Sequence, residues 1–237
     1  MLVPALLALV MLGPASAARG QVAASASITS DYRYRGLTVS DARPAISLDL
    51  AYDAAGGVYA GGSLVAADAP SVGPRILGAL ADIGYARRVG GGLTLDAGIN
   101  HASFFGYGYG YGYGYGGQSS ETTEAYVGVS RGALRAYLYY SPHYFVSGVK
   151  TLYLSLDGAV RPARRLRLFG HVGVLDTVGA PQAWDGAARY DVRVGGAVEF
   201  KGGEVQLAWT TRGGGAAGPP GAPARRSALV LGASLFF

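Results

Sequence analysis

Three histidines, His101, His143 and His171, carry the side chains of this 237-residue sequence that are best suited to acid–base chemistry. An imidazole beside a carboxylate can act as a general base toward a serine hydroxyl. His171 is the one that falls among polar residues of a strand, and no nucleophile motif accompanies it. The chain has no cysteine, which excludes thiolate catalysis, disulfides and cysteine-based metal sites. The sequence also lacks metal-ligand spacings and phosphate-binding loops. We therefore predict a protein that is not an enzyme and uses no cofactor.

Charged residues at alternate positions of the chain indicate a different chemistry, the lining of a water-filled path. Rings of such side chains set the ion preference of pores. Acidic and basic residues are nearly balanced, which predicts weak selectivity between anions and cations. The alternative is that they pair across the interior and fill it. The pore-lining candidates are Asp31, Arg33, Asp49, Asp96, Glu124, Arg135, Asp157, Arg167, His171, Asp191, Arg193 and Arg212.

These residues lie in segments where apolar and polar side chains alternate. In Leu93 to Asn100 the alternation is strict, and the same period recurs along most of the chain. A period of two residues predicts strands with one apolar and one polar face. The twelve predicted strands are 24–34, 45–53, 57–66, 76–87, 92–103, 122–131, 133–141, 149–161, 165–175, 188–200, 203–212 and 226–237, with ten strands as the alternative count.

The connections between these strands alternate in length. Short joins such as 53–57 and 131–132 are followed by longer ones such as 35–44 and 67–75. An up-and-down barrel of the outer membrane has short turns at one end, long loops at the other and an even number of strands. A soluble β-sandwich has no reason to sort its loops in this way. The fold class is therefore all-β, a transmembrane up-and-down antiparallel barrel.

The distribution of charge indicates which face meets lipid. The apolar face of the strands is nearly free of charge, as a bilayer requires, because Arg or Lys at the midplane costs about 2–4 kcal/mol. Aromatic residues at the ends of the apolar stripes are typical of an interfacial girdle. The predicted girdle consists of Tyr32, Tyr34, Tyr52, Tyr85, Tyr140, Tyr190, Phe200, Trp209 and Phe237.

The two ends of the chain indicate export and assembly. Residues 2–12 are apolar and Ala15-Ser16-Ala17 follows, which predicts a signal peptide over 1–17 and a barrel domain over 18–237. The last strand alternates to a terminal Phe237, a form that the barrel-assembly machinery reads. Charged residues make up only 15% of the chain, and the net charge of +5 is spread along it, so no nucleic-acid partner is expected.

The sequence resembles the TorF-type porin family of exported outer-membrane proteins, formerly of unknown function. Ser30-Asp31-Tyr32-Arg33-Tyr34-Arg35-Gly36-Leu37, followed by Ser40-Asp41 and Pro44, is similar to the family's S-D-Y-x-x-R-G opening. Tyr139 to Phe145 resembles a second family segment, in which an acidic residue more often follows the proline than His143. The Gly-Tyr repeat over 106–117 and the Gly/Pro-rich segment 213–224 depart from the family. The resemblance implies an outer-membrane barrel and a pore, and it implies no catalytic residues.

The leading hypothesis is passive diffusion of small hydrophilic solutes across the outer membrane of a Gram-negative bacterium. The partners are then membrane lipid, the assembly machinery and the solutes. The alternative is a structural or surface-interaction barrel with a closed lumen, and an enzyme using His171 is a third and weaker reading. We interpret the Gly-Tyr repeat as a surface-loop expansion rather than a constriction, because ordering so many glycines is costly.

Overall fold

The computed structural model describes residues 20–69, 73–105, 119–145, 148–179, 188–214 and 226–237. The predicted signal peptide, the Gly-Tyr repeat and residues 215–224 lie outside the described residues. Within those ranges the regular secondary structure consists of β-strands alone. No helix in the described part of the chain is long and apolar enough to cross a bilayer.

Twelve strands form a closed barrel, and two short strands form a separate hairpin. The elements are β1 (Gln21–Thr29), β2 (Arg33–Tyr34), β3 (Leu37–Thr38), β4 (Ala45–Asp53), β5 (Val58–Ala69), β6 (Gly73–Gly90), β7 (Leu93–Phe105), β8 (Ser119–Arg131), β9 (Leu134–Tyr144), β10 (Thr151–Ala163), β11 (Leu166–Thr177), β12 (Arg189–Phe200), β13 (Gly203–Gly214) and β14 (Ser227–Phe236). Consecutive barrel strands pair antiparallel, and β1 closes the barrel by pairing with both β4 and β14. The predicted twelve-strand up-and-down barrel is confirmed.

The alternation of residue types decides which side chains point inward. In β4, Ser47 and Asp49 are buried inside the barrel, whereas Ile46, Leu48 and Leu50 are exposed on its outside. The same arrangement holds at mid-barrel in β10, where Leu156 is 47% exposed and the neighbouring Ser155 is buried. The barrel therefore has an apolar exterior and a polar interior, the inverse of a soluble protein.

The two ends of the barrel differ. The start of β1 at Gln21, the end of β14 at Phe236 and the connections β4–β5, β6–β7, β8–β9, β10–β11 and β12–β13 lie at one end, here called the turn end. The other connections lie at the opposite, or loop, end. The predicted long connection over 67–75 is wrong, because β5 and β6 stay paired up to Ala69 and Gly73. Continued backbone pairing satisfies more N–H and C=O groups than a loop would.

Most of the predicted aromatic girdle is exposed on the outside, as expected for Tyr52, Tyr85, Tyr140, Tyr190, Phe200, Trp209 and Phe237. The assignment of Tyr32 and Tyr34 to that girdle is wrong. The first barrel strand ends at Thr29 rather than at residue 34, and both tyrosines are buried inside the barrel. Asp31 and Arg33 were predicted on that strand and likewise lie beyond its end.

Candidate pore interior

The segment between β1 and β4 turns into the barrel instead of standing above it. We call residues 30–44 the inner hairpin, because β2 and β3 pair within it. Its turn residues Arg35 and Gly36 both have positive φ, 48° and 74°. Two such residues match the twist of a tight two-residue hairpin. The hairpin therefore places an arginine at its tip, inside the lumen.

Asp31 holds the inner hairpin together. Its Oδ2 accepts a hydrogen bond of 2.7 Å from Arg33 Nε, and its Oδ1 accepts one of 2.5 Å from the Thr38 hydroxyl. Arg33 Nη1 also donates to the Gly36 carbonyl at 3.0 Å, and the Tyr32 N–H donates to the Ser40 hydroxyl at 2.9 Å. Asp31 and Arg33 thus stabilise a loop inside the barrel, rather than projecting from a barrel strand as predicted.

Arg35 reaches across the lumen to β8, the fifth strand around the barrel from β1. Its two terminal nitrogens donate to the two Glu124 carboxylate oxygens at 2.7 and 2.5 Å, and both side chains are almost fully buried. Bidentate pairs of this kind are short and strong. Burial has the largest single effect and lowers the pKa of Arg35, but Glu124, Tyr34 and Tyr144 together raise it by more, so the pKa lies well above its ordinary value. The guanidinium at the hairpin tip therefore remains charged.

Aromatic rings surround this ion pair. The Arg35 guanidinium carbon lies 3.9 Å from the ring centroid of Tyr153 and 5.2 to 5.4 Å from those of Tyr34, Tyr139 and Tyr144. Such cation–π contacts strengthen when water is excluded. The rings isolate the pair from solvent.

The loop end of the barrel contains a small hydrophobic core between the inner hairpin and the wall. Tyr34 packs edge-on against Phe104 of β7, with ring centroids 5.2 Å apart. The buried members of this cluster are Tyr32, Tyr34, Val39, Ala45, Val65, Ala67, Leu77, Ala102 and Phe104. Burying this apolar surface stabilises the hairpin in place. Among the described residues, the hairpin therefore fills the lumen near the loop end.

Gly36 touches the wall on β12 and β13. A Cβ at this position would lie 2.8 Å from the Cβ of Asp191 and 2.9 Å from the Cβ of Arg212. Neither of those atoms can move without its backbone. Glycine is required both by this close approach and by the positive φ. Of the predicted pore-lining residues, Arg212 and Asp191 thus contact the hairpin tip.

A cavity of about 240 Å³ remains between the inner hairpin and the turn end. It reaches Gly132 and Ala133 in the β8–β9 turn, and Phe236 near the end of the chain. Eight of the twelve predicted pore-lining residues lie on it: Asp31, Arg33, Arg135, Asp157, Arg167, His171, Asp191 and Arg193. The fold thus brings these eight residues together around one cavity. That they line a conducting path stays a prediction.

His171 connects three neighbouring strands of this wall. Its Nδ1 lies 2.7 Å from Asp157 Oδ1 on β10, and its Nε2 lies 2.9 Å from Asp191 Oδ1 on β12. A carboxylate accepts hydrogen bonds, so this geometry is satisfied when both ring nitrogens carry protons. Tyr153 adds a hydrogen bond of 3.0 Å to Asp191 Oδ2. The arrangement positions His171 as a cross-link and leaves neither ring nitrogen directed at a serine.

The remaining predicted acids lie on the wall that spans β4 to β9. Asp96 accepts hydrogen bonds from the hydroxyls of Tyr59 at 2.7 Å and Tyr137 at 2.9 Å. Asp49 accepts one of 3.1 Å from Ser25. Neutral hydroxyl donors thus stabilise these two carboxylates, whereas arginine and histidine side chains stabilise the carboxylates on the wall of the cavity.

Several interior residues were not singled out from the sequence. They are Tyr59, Tyr126, Tyr137, Tyr139 and Tyr153 on the inner wall, and Phe169, Glu204 and Gln206 around the cavity. Each except Tyr59 has the same strand parity as a charged residue of its own strand, for example Tyr137 with Arg135. That parity was the available signal. The inner hairpin also had a signal in the Asp-, Arg- and Ser-rich stretch before Pro44, which is too polar for a strand against lipid.

The fold is a closed, twelve-stranded antiparallel barrel with a charged interior. The solved structures to which the chain is similar include two porins and an outer-membrane protein. The NanC porin is 8% identical with a TM-score of 0.50, covering 91% of this chain and 98% of that one. The KdgM porin is 11% identical with a TM-score of 0.49, covering 92% and 99%. OmpT of Vibrio cholerae is 10% identical with a TM-score of 0.46, covering 94% and 100%. At these identities the likeness is one of fold.

Residues 13–213 match the family described as "Bacterial protein of unknown function (Gcw_chp)". The match covers well over half of the chain, and the protein belongs to this family. No match is found among the curated proteins.

Proposed function

We propose that this protein is an outer-membrane barrel of a Gram-negative bacterium that offers small hydrophilic solutes a narrow passive path. The observation that carries the proposal is the inverted distribution of polarity, with apolar side chains exposed around the barrel and ionisable ones enclosed. Closed barrels satisfy all their strand hydrogen bonds internally, as lipid requires. Outer-membrane lipid is then the partner of the exterior. The similarity to TorF-type porins supports the same reading.

The orientation follows from the lengths of the connections. Short turns of outer-membrane barrels face the periplasm and long loops face outward. The inner hairpin would then sit toward the outside, and the charged cavity would open toward the periplasm. We propose that the assembly machinery recognises β14 together with Phe237, which follows it and exchanges backbone hydrogen bonds with Ala24 of β1. The proposed function requires no cofactor and no covalent chemistry.

A passive path through this barrel must be narrow. Eight strands leave an interior filled by side chains, whereas sixteen to eighteen leave a channel. Twelve strands fall between these limits, and the inner hairpin occupies part of the interior. We therefore expect conductance well below that of a barrel of the same size with an empty lumen.

Single-channel recording in planar bilayers tests the proposal. The wild-type protein, refolded into detergent and verified by heat-modifiable electrophoretic mobility, should produce small discrete openings. A matched variant replaces residues 31–41 with a short Gly-Ser linker and should produce larger openings, because the hairpin no longer occupies the lumen. Absence of openings from folded wild type, with openings from the variant, would contradict a constitutive path.

That contrary result would favour the second candidate, a structural or surface-interaction barrel with a closed lumen. The specific observation in its favour is the buried Arg35–Glu124 pair, which links the inner hairpin to the far wall. The linker variant separates the candidates because it removes this pair and leaves the twelve barrel strands unchanged.

A further inference from the structure

Two guanidinium groups share one aromatic ring in the cavity at the turn end. The guanidinium carbons of Arg167 and Arg193 lie 5.1 and 4.9 Å from the ring centroid of Phe169. The ring lies against Gly195 of the next strand, where a Cβ would come within 2.6 Å of Cζ. The missing side chain allows the ring to lie flat on the wall. Phe169 therefore forms a fixed platform for two cations that repel each other.

The two arginines differ in their counter-charges. One Arg167 nitrogen donates to both Glu204 carboxylate oxygens at 2.6 Å, and its Nε lies 3.4 Å from Glu199. Arg193 donates to the neutral amide oxygen of Gln206 at 3.0 Å. Within the described ranges no carboxylate lies at salt-bridge distance from Arg193. Arg193 is thus a cavity-lining cation balanced by a dipole and a ring rather than by an anion.

The carboxylates on the same cavity are already engaged. Asp31 pairs with Arg33, and Glu204 pairs with Arg167. Asp157 and Asp191 both contact His171. Asp157 and Asp191 share His171, and within the described ranges none of the four carboxylates reaches Arg193 at salt-bridge distance. The cavity is lined by six arginines (Arg33, Arg35, Arg135, Arg161, Arg167 and Arg193) against these four carboxylates, so its local surplus of charge is positive.

We propose that Arg193 and Phe169 form a binding subsite for a small solute that carries a carboxylate. A guanidinium has five N–H donors in a planar fork that matches a carboxylate, and Gln206 occupies one of them. The cavity of about 240 Å³ has room for roughly eight water molecules at ~30 Å³ each, so the ligand is small. A carboxylate beside Arg193 would also offset its repulsion with Arg167. The inference deepens the proposed function, since it gives the path a preference for anions.

Binding is measured first, because it does not require conduction. Sodium gluconate is the probe, and sorbitol is its uncharged counterpart with the same number of carbons. Saturation-transfer NMR on the full barrel in detergent should detect gluconate and not sorbitol. Arg193→Gln should weaken gluconate binding roughly tenfold, the loss expected for a hydrogen bond to a charged group. Arg164→Gln removes the same charge from the exposed β10–β11 turn and should leave binding unchanged.

Two outcomes overturn the subsite. Equal binding of gluconate and sorbitol would remove the role of charge, and equal binding by wild type and Arg193→Gln would remove the role of this residue. If Arg193→Gln does not refold, Arg193→Lys replaces it. Lysine keeps the charge but lacks the planar fork, so gluconate binding should be weaker than in wild type while sorbitol remains unbound, and gluconate binding equal to wild type would remove the role of the guanidinium.

Reversal potentials in a KCl gradient form the second measurement. Wild type should favour chloride, Arg193→Gln should shift the preference toward potassium, and Arg164→Gln should not change it. If the barrel never conducts, the proposed passive path fails while the gluconate measurement still decides the subsite. If it conducts and gluconate does not bind, the subsite fails and the path remains.

Discussion

Arg35 and Glu124 are 89 positions apart in the chain and form a bidentate ion pair across the barrel interior. Arg35 comes from the inner hairpin, and Glu124 comes from a barrel strand. The pair therefore links the loop inside the lumen to the wall by a salt bridge. Its buried position determines what happens when either partner is removed.

Substituting one partner of this pair should be strongly destabilising. Arg35→Gln or Glu124→Gln leaves an uncompensated buried charge, which costs about 3–5 kcal/mol. The double variant has no such charge and should be more stable than the sum of the two losses predicts. Chemical unfolding in lipid vesicles, arranged as a double-mutant cycle, measures the coupling.

The partly exposed pair between Arg161 and Glu199 is the matched control for that cycle. Solvent screens such pairs, so Arg161→Gln should cost no more than about 1 kcal/mol. Equal losses at Arg35 and Arg161 would contradict the inference that the inner hairpin is held by a desolvated ion pair.

A second prediction about the inner hairpin concerns the substitution of Gly36. Gly36→Ala adds a Cβ at positive φ and against the fixed Cβ atoms of Asp191 and Arg212. Gly132→Ala in the β8–β9 turn adds a Cβ at a φ of 58° with nothing within 4 Å. Both variants lose about 1–2 kcal/mol from backbone strain. Only Gly36→Ala should lose a further ~1–3 kcal/mol from overpacking, and it should also alter conductance because the hairpin tip is displaced. Similar unfolding free energies for the two variants would argue against close packing of the tip.

The barrel itself was predictable because lipid and the interior impose opposite requirements on alternate residues. Ile46, Leu48 and Leu50 differ so clearly from Ser47 and Asp49 that the strand and its inner face follow from the period alone. Ten or more such strands with connections of alternating length leave few other folds. The strands differ from their predicted bounds mainly at their ends, where β5 and β6 continue to pair beyond the apolar pattern.

The inner hairpin was not predictable from the same signal. Residues 30–34 continue the alternation of β1, with Asp31 and Arg33 at the charged parity, so the period extends the strand beyond Thr29. The inner hairpin turns into the barrel because of contacts with residues that are distant in sequence, above all Glu124 and Phe104. Pairings between residues this far apart leave no local pattern. The resemblance did place weight on Asp31, Arg35 and Gly36, and these residues build the hairpin.

A third prediction concerns the contribution of His171 to stability. His171→Gln removes the cation between Asp157 and Asp191 and leaves two carboxylates on adjacent parts of the wall. The loss of two charge-assisted hydrogen bonds, about 1.5–3 kcal/mol each, should lower the free energy of unfolding. Adding Asp157→Asn to that variant removes one of the unpaired charges and should restore part of the stability. If the second substitution destabilises further, the histidine does not act by balancing the two acids.

A fourth prediction concerns the apolar exterior and the cost of placing an arginine on it. Leu156 lies at the middle of β10 and is exposed on the outside of the barrel, and Val160 is exposed on the same face four residues closer to the turn end. An arginine at the bilayer midplane costs about 2–4 kcal/mol, and one near the interface costs about 0–1 kcal/mol. Leu156→Arg should therefore destabilise the barrel in phospholipid vesicles several times more than Val160→Arg. The cost depends on depth in the bilayer because an arginine near the interface can extend its guanidinium to water, whereas one at mid-strand cannot.

The same two variants also distinguish a lipid-facing surface from a protein-facing one. In detergent micelles, which are thinner and more easily wetted, the difference between Leu156→Arg and Val160→Arg should become smaller. If a protein partner covered this surface instead, the cost would follow local packing and would not depend on distance from the turn end. Equal losses at the two positions in vesicles would therefore contradict the placement of this face in lipid.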